Sequence, residues 1–365
     1  MQRRGILAAA AISLSLVLAG CFQGEQSLSE VDAPYDKDLN SGTDKAKGQR
    51  DAPKAGAKAP EAEKKEPKAE ETTETVARQL YLIDANGLVA PQTLELPKTA
   101  SKEVASQAME YLVKGGPVTS VLPNGFQAVL PEGTQILGLN LKEDGTMIVD
   151  VSPEFKNYKA EEEVKILEAV THTLTQFENV ERIKLWINGH PLDEMPVDGT
   201  PIEKGYSRAN GINLASSDNA GQADAKAVTM YFPKEHNNNR YYVPITKHVA
   251  DGDNLYSSII NELIAGPAYE SNAMHVFNAD TLLKNEPKLD NGILELEFSE
   301  AILKDQGDAV IADEVMETLV RTLTQQESVE AVRVKVENVE TLVNEKGEAY
   351  NDPVSKYKYV PTEKL

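Results

Sequence analysis

The chain of 365 residues has one cysteine, one tryptophan and an aromatic fraction of only 6%. A single cysteine excludes intramolecular disulfides, thiolate metal clusters and a two-cysteine redox motif. With so few aromatics, the cores must be built from Leu, Ile, Val and Ala. Basic residues are also scarce: 37 Lys and Arg face 58 Asp and Glu, a formal net charge of -21. That field repels phosphate backbones, so no nucleic-acid partner is expected. Long apolar runs are missing as well. Beyond Ile6 to Leu18, nothing approaches the roughly 18 apolar residues of a membrane-spanning helix.

Catalytic patterns are equally hard to find. His172, His190, His236, His248 and His275 show no metal-ligand spacing, and there is no GxSxG and no phosphate-binding glycine loop. Asp251-Gly252-Asp253-Asn254 lacks the alternating ligands and distal Glu of a calcium loop, so helix capping is the expected role. The many carboxylates leave an acid/base pair open in principle. However, Glu161, Glu162 and Glu163 head a helix, and Glu295 and Glu297 alternate outward on a strand, both places for solvated charge. The expectation is a non-enzyme with no metal, no cofactor and no small-molecule substrate.

What is present begins at residue 1. Arg3 and Arg4 precede the 13-residue apolar run, and Leu18-Ala19-Gly20 leads into Cys21. This order resembles the bacterial lipobox, which implies a signal peptide over 1–20, cleavage before Cys21 and a diacylglycerol on its sulfur. Two acyl chains anchor stably where one does so marginally. Residues 21–75 are rich in Ala, Lys, Glu, Pro and Gly with almost no aliphatics, as in Ala52-Pro53-Lys54-Ala55-Gly56, and read as a disordered tether.

Beyond the tether the sequence repeats. Thr173-Leu174-Thr175-Gln176-Phe177-Glu178-Asn179-Val180-Glu181 returns as Thr322-Leu323-Thr324-Gln325-Gln326-Glu327-Ser328-Val329-Glu330, seven identities in nine at an offset of 149. Leu80-Tyr81-Leu82 answers to Met230-Tyr231-Phe232, and Leu112-Val113-Lys114-Gly115-Gly116-Pro117 to Leu263-Ile264-Ala265-Gly266-Pro267. A period this long means two tandem domains and not a solenoid. The modules are placed at 76–202 and 227–350, with a linker at 203–226 and a tail at 351–365.

Periodicity predicts the elements of each module. In the first these are a strand at 78–83, a helix from Ser101 to Lys114, strands at 134–141 and 146–151, a helix from Glu161 to Phe177 and a strand at 182–188. The second helix carries Val164, Leu167, Val170, Leu174 and Phe177 at helical spacing. The second module repeats the order. The fold class is α+β, with each module β-α-β-β-α-β and two helices on one face of a small sheet. With Ile183, Leu185 and Ile187 facing the helices, Trp186 and Lys184 point the other way. Tyr81 is expected on that same face and Tyr231 at its counterpart, forming a surface that docks a partner or the other module.

The helix ends at Gly115-Gly116-Pro117 and Gly266-Pro267 and the Val149-Asp150-Val151-Ser152-Pro153-Glu154-Phe155 step resemble the GerM family of spore-associated lipoproteins. So do the Thr-Leu-Thr-Gln passages and the tail from Ile187-Asn188-Gly189-His190 through Asp198-Gly199-Thr200-Pro201-Ile202. The resemblance implies a lipobox, a tether and two tandem GerMN modules like the ring-building motifs of secretion and sporulation assemblies. It further implies a scaffold of the sporulation envelope between mother cell and forespore, affecting germination, with envelope channel proteins or further copies as partners. Two other readings stay open: a cell-wall-binding or hydrolase-accessory lipoprotein, and an ABC-transporter solute-binding lipoprotein. Ser299-Glu300 replaces Ser152-Pro153 and Glu337-Asn338 replaces Asn188-Gly189, so the modules need not use equivalent surfaces.

Overall fold

Strands β1 (Thr75–Ile83) and β2 (Val89–Pro97) pair antiparallel, with Tyr81 opposite Pro91. Asp84 closes their turn by accepting the backbone N–H groups of Asn86 and Leu88, both at 2.9 Å, as Asp side chains do in turns. The computed structural model to which these strands belong describes residues 74–100, 103–215, 225–251, 254–305 and 309–359. Cys21, the expected signal and tether, and the Ser101 cap lie outside those residues.

Helix α1 (Val104–Glu110) follows, burying Val104, Ala105, Ala108 and Met109. It is half the expected length because the chain turns at Tyr111 and heads into Gly115, whose φ is +73°. Next come β3 (Ile136–Leu141), β4 (Thr146–Val151), α2 (Glu163–Leu174), β5 (Arg182–Ile187), β6 (His190–Pro191) and β7 (Tyr206–Ser207). The sheet order is β3-β4-β5-β6, with β7 also on β5. β4 and β5 are parallel, joined by α2, while the other pairs are antiparallel.

The second module repeats this plan. It consists of β8 (Ala225–His236), β9 (Asn239–Ala250), α3 (Leu255–Ala265), β10 (Lys288–Asp290), β11 (Ile293–Phe298), α4 (Asp313–Leu323), β12 (Ala331–Val336) and β13 (Val354–Ser355). β8 and β9 form a hairpin, and the sheet runs β10-β11-β12-β13 with β11 parallel to β12. Asn254 caps α3, accepting from the N–H groups of Tyr256 and Ser257, the capping expected of that segment.

The architecture is α+β, with small sheets and few helices in two tandem copies. Two details differ from the expected order. The first strand of each module pairs with a second strand, β2 or β9, in a hairpin of its own and not within the main sheet. Pro91 and Pro244 sit inside those extra strands, where burial is continuous over Val89–Gln92 and Tyr241–Thr246, so a period of two is confined to residues 92–96 of β2 and absent from β9. Tyr206–Ser207 and Val354–Ser355 belong to the sheets, which carries each module into the expected linker and tail. Two-residue strands leave no periodicity to read.

The hairpin also changes the role of α2. One side packs on the sheet through Ile166, Leu167, Val170 and Leu174, all at 0% exposure. The other side meets β1, where the Tyr81 N–H donates to Thr173 Oγ1 at 3.0 Å and Gln176 Nε2 donates to the Gln79 carbonyl at 2.7 Å. A helix covered on both sides buries polar residues too, and Glu163, Glu168 and His172 lie inside while Val164 faces out. In the second module the Tyr231 N–H donates likewise to Thr322 Oγ1 at 3.0 Å.

Candidate functional site

The two hairpins lie against each other, β2 beside β9, and side chains at equivalent positions meet there. Tyr81 and Tyr231, which correspond in the repeat, are both buried, and the Arg208 guanidinium lies beside both phenols, 6.0 Å from the centre of the Tyr81 ring. Burial, first, and the neighbouring phenol push the Tyr231 hydroxyl far above its ordinary range. Three residues on in each strand, Asp84 corresponds to Lys234. Lys234 Nζ lies 2.8 Å from Asp84 Oδ2, with side chains 4% and 0% exposed. Tyr241 donates its hydroxyl to the same oxygen at 2.9 Å, and Lys234 also donates to the Ser271 carbonyl at 3.0 Å. The Asp84 carboxylate therefore has one oxygen committed to its own turn and the other to the opposite module. Such a pair holds only because its remaining hydrogen-bond positions are filled.

Asn213 stitches the joint from the connecting segment. It receives the Val89 N–H at 2.9 Å, donates to the carbonyls of Val89 at 2.7 Å and Pro244 at 2.8 Å, and gives its own N–H to Glu168 Oε1 at 3.0 Å. Burial raises the Glu168 carboxyl to about 7, against the opposing pull of that N–H and of Lys165. One turn along, the His172 ring packs on Tyr81 at 5.2 Å, and burial, aided by Arg208, holds it well below the ordinary imidazole range. The second module has Glu317 and Arg321 at these two positions, and there they form an ion pair at 2.6 Å. At the far edge Gly125, at φ +84°, lets the first module approach the hairpin tip of the second, because a Cβ there would fall 2.4 Å from the His236 ring. His236 therefore stands at the joint, next to a tight turn in which Asn237 and Asn238 both have positive φ.

The four residues expected to share one docking face divide into two groups. Trp186 and Lys184 lie half-buried on the outer face of β5, with Trp186 opposite Pro191 on one side and Asp150 on the other. Tyr81 and Tyr231 are elsewhere, 2% and 4% exposed inside the joint, because their strands belong to the hairpins. Expecting them on the Trp186 face is thus corrected: they meet the other module. The outer face of the second module differs from that of the first, since Glu295 holds Arg333 at 3.3 Å and Lys335 at 3.4 Å where the first has Ile148, Lys184 and Trp186. Glu163, expected in solvent, is buried. It accepts the N–H groups of Val197 at 3.2 Å, Asp198 at 2.8 Å and Thr200 at 2.9 Å, and the Tyr158 hydroxyl at 2.8 Å.

The family model of Germane, described as sporulation and spore germination, matches residues 79–193 and again 229–341, one match in each module. The chain belongs to the Germane family. Its similarity to another Germane protein extends beyond those segments: it is 44% identical over 373 residues to the spore germination protein GerM of Bacillus subtilis (strain 168), covering 99% of both chains. Among solved structures it matches the tandem GerMN domains of the sporulation protein GerM from Bacillus subtilis, with a TM-score of 0.71 and 47% identity over 77% of this chain and 96% of that one. These Germane relatives are named for sporulation and germination and neither is named as an enzyme, which supports a role in sporulation and germination here.

Proposed function

We propose that this protein is a lipid-anchored extracytoplasmic scaffold of the sporulation envelope, acting by docking other envelope proteins or further copies of itself and not by catalysis. The observation that carries this reading is the 44% identity to a spore germination protein along essentially the whole of both chains. Lipid anchorage rests on the Leu18-Ala19-Gly20-Cys21 order. Docking rests on a division of surfaces. The aromatic face of the hairpins is consumed between the modules, leaving Trp186 and Lys184 on the first module as a half-exposed aromatic and cation of the kind that anchor interfaces.

Two measurements test the two halves of the proposal. Labelled palmitate should enter the wild-type protein and not Cys21→Ala; incorporation that persists in the variant defeats the anchor. A photo-crosslinker at position 184 should capture an envelope protein or a second copy in sporulating cells, and Trp186→Ala should abolish that adduct while the fold persists. Identical crosslinking with and without Trp186 removes this face from the mechanism.

A further inference from the structure

Where the two modules meet, a cavity of about 300 Å³ opens beside the tyrosine pair. Its walls come from matching positions of the repeat: Tyr81 and Tyr231, Thr175 and Thr324, Gln176 and Gln325. Arg208 and Lys356 also correspond, each following the serine that ends the last strand of its module, and both line the same space with Arg321 and Glu178. A chain with a net charge of -21 has here gathered three cations and one carboxylate. Glu317 neutralises Arg321 at 2.6 Å, which leaves Arg208 and Lys356 as the lining cations with no ion-paired carboxylate among the described residues.

Arg208 is the more enclosed of the two. Its Nε donates to Thr175 Oγ1 at 2.8 Å, its NH2 group donates to the His172 carbonyl at 3.2 Å, and the Tyr81 and Tyr231 phenols complete its surroundings. Every one of these acceptors is neutral. A guanidinium partly withdrawn from water, as the half-buried Arg208 is, ordinarily has an anion beside it, because neutral oxygens return only part of its lost hydration. The Thr175 and Thr324 hydroxyls already donate to the Thr171 and Val320 carbonyls, and the Gln176 amide to the Gln79 and Thr173 carbonyls, so the lining donors left for a ligand are the Gln325 amide and the flexible ammonium of Lys356.

The geometry points to a binding site in this cleft for a small polar monocarboxylate, held between the Arg208 guanidinium and the Lys356 ammonium, with the Gln325 amide facing the rest of the ligand. The volume lies at the lower end of ligand pockets, which restricts the occupant to a small molecule. Because the walls are shared between modules, an occupant also ties the two modules together.

Titration calorimetry on the full chain tests this with N-acetylglycine as probe and N-acetylglycinamide as its uncharged counterpart. Saturable binding of the acid and none of the amide is expected, with affinity falling as salt is added. Lys356→Gln changes an exposed side chain, so it leaves the melting temperature unchanged and weakens binding at least fivefold. Arg208→Lys keeps the charge but loses the fork, and weakens it at least tenfold. Absence of saturable binding at millimolar acid overturns the proposal. So does equal binding of the amide, or an affinity unchanged in Lys356→Gln.

Discussion

Asp84 and Lys234 occupy the same position in their respective modules and bond to each other across the joint at 2.8 Å. Contact between equivalent residues is the mark of a two-fold, self-complementary interface, here realised within one chain. In a symmetric pair of first modules the same contact would bring Asp84 against Asp84. Opposite charge at one repeat position thus makes the face accept its sister and reject its own copy. The tyrosine pair beside it does not discriminate in this way, since Tyr81 and Tyr231 are identical. Specificity at the joint therefore resides in the ion pair.

Lys234→Met should destabilise the protein by about 3–5 kcal/mol, the usual cost of leaving one member of a buried pair alone. Urea unfolding at neutral pH measures it. Exchanging the charges, Asp84→Lys with Lys234→Asp, should recover only part of the loss, because a lysine at 84 cannot accept the Asn86 and Leu88 N–H groups. Full recovery would mean that the turn bonds contribute nothing.

Glu163→Gln should cost about 1–3 kcal/mol at pH 7, since an amide cannot accept three backbone N–H groups and the Tyr158 hydroxyl together. Burial works to raise the Glu163 carboxyl, but the Asp198 and Thr200 groups prevail and hold it below its ordinary value. Its stabilisation is accordingly complete above the unfolded-chain value of about 4.3 and is lost as pH falls through the lower folded value. The gap between wild type and Glu163→Gln should narrow on acidification below about pH 4. A gap independent of pH would show that charge plays no part.

Gly125→Ala should destabilise for two separable reasons. One is the φ of +84°, which costs an L-residue about 1–2 kcal/mol; the other is the His236 ring in the path of the new Cβ. His236→Ala removes only the second. In a double-mutant cycle, the alanine at 125 should therefore cost less when residue 236 is also alanine, and additive effects would place the whole penalty in the backbone.

What could be read from sequence depended on local periodicity. α2 falls within the expected 161–177, and β4, β5, β11 and β12 stand where alternation put them. The hairpin partners β2 and β9 escaped because a proline interrupts each and burial around it is continuous, over Val89–Gln92 in β2 and Tyr241–Thr246 in β9. Placing Tyr81 correctly required knowing its strand partner, which the repeat does not reveal. The Asp84–Lys234 pair did leave a signal: the offset of 150 that aligns Tyr81 with Tyr231 also aligns these opposite charges. The burial of Glu163 left none, since three of its four partners are backbone groups some 35 residues away.

Glu168 gives the joint a pH dependence of unusual sign. With a folded value near 7 against about 4.3 in the unfolded chain, the folded protein binds the extra proton between those limits. Its contribution is therefore fully present below about pH 4.3 and lost as pH rises through 7, by about 3 kcal/mol across that range. Glu168→Gln keeps a neutral acceptor for the Asn213 N–H, so it should match wild type near pH 4 and exceed it increasingly in stability up to pH 8. His172 acts in the opposite direction: held neutral inside, it loses stability as pH falls below the unfolded value of about 6.5. In wild type the two slopes oppose one another between about pH 4.3 and 6.5, and the glutamine variant exposes the histidine slope alone. Melts from pH 5 to 8 should show Glu168→Gln losing stability toward acid more steeply than wild type. Parallel curves would mean that Glu168 is charged in the folded protein at neutral pH.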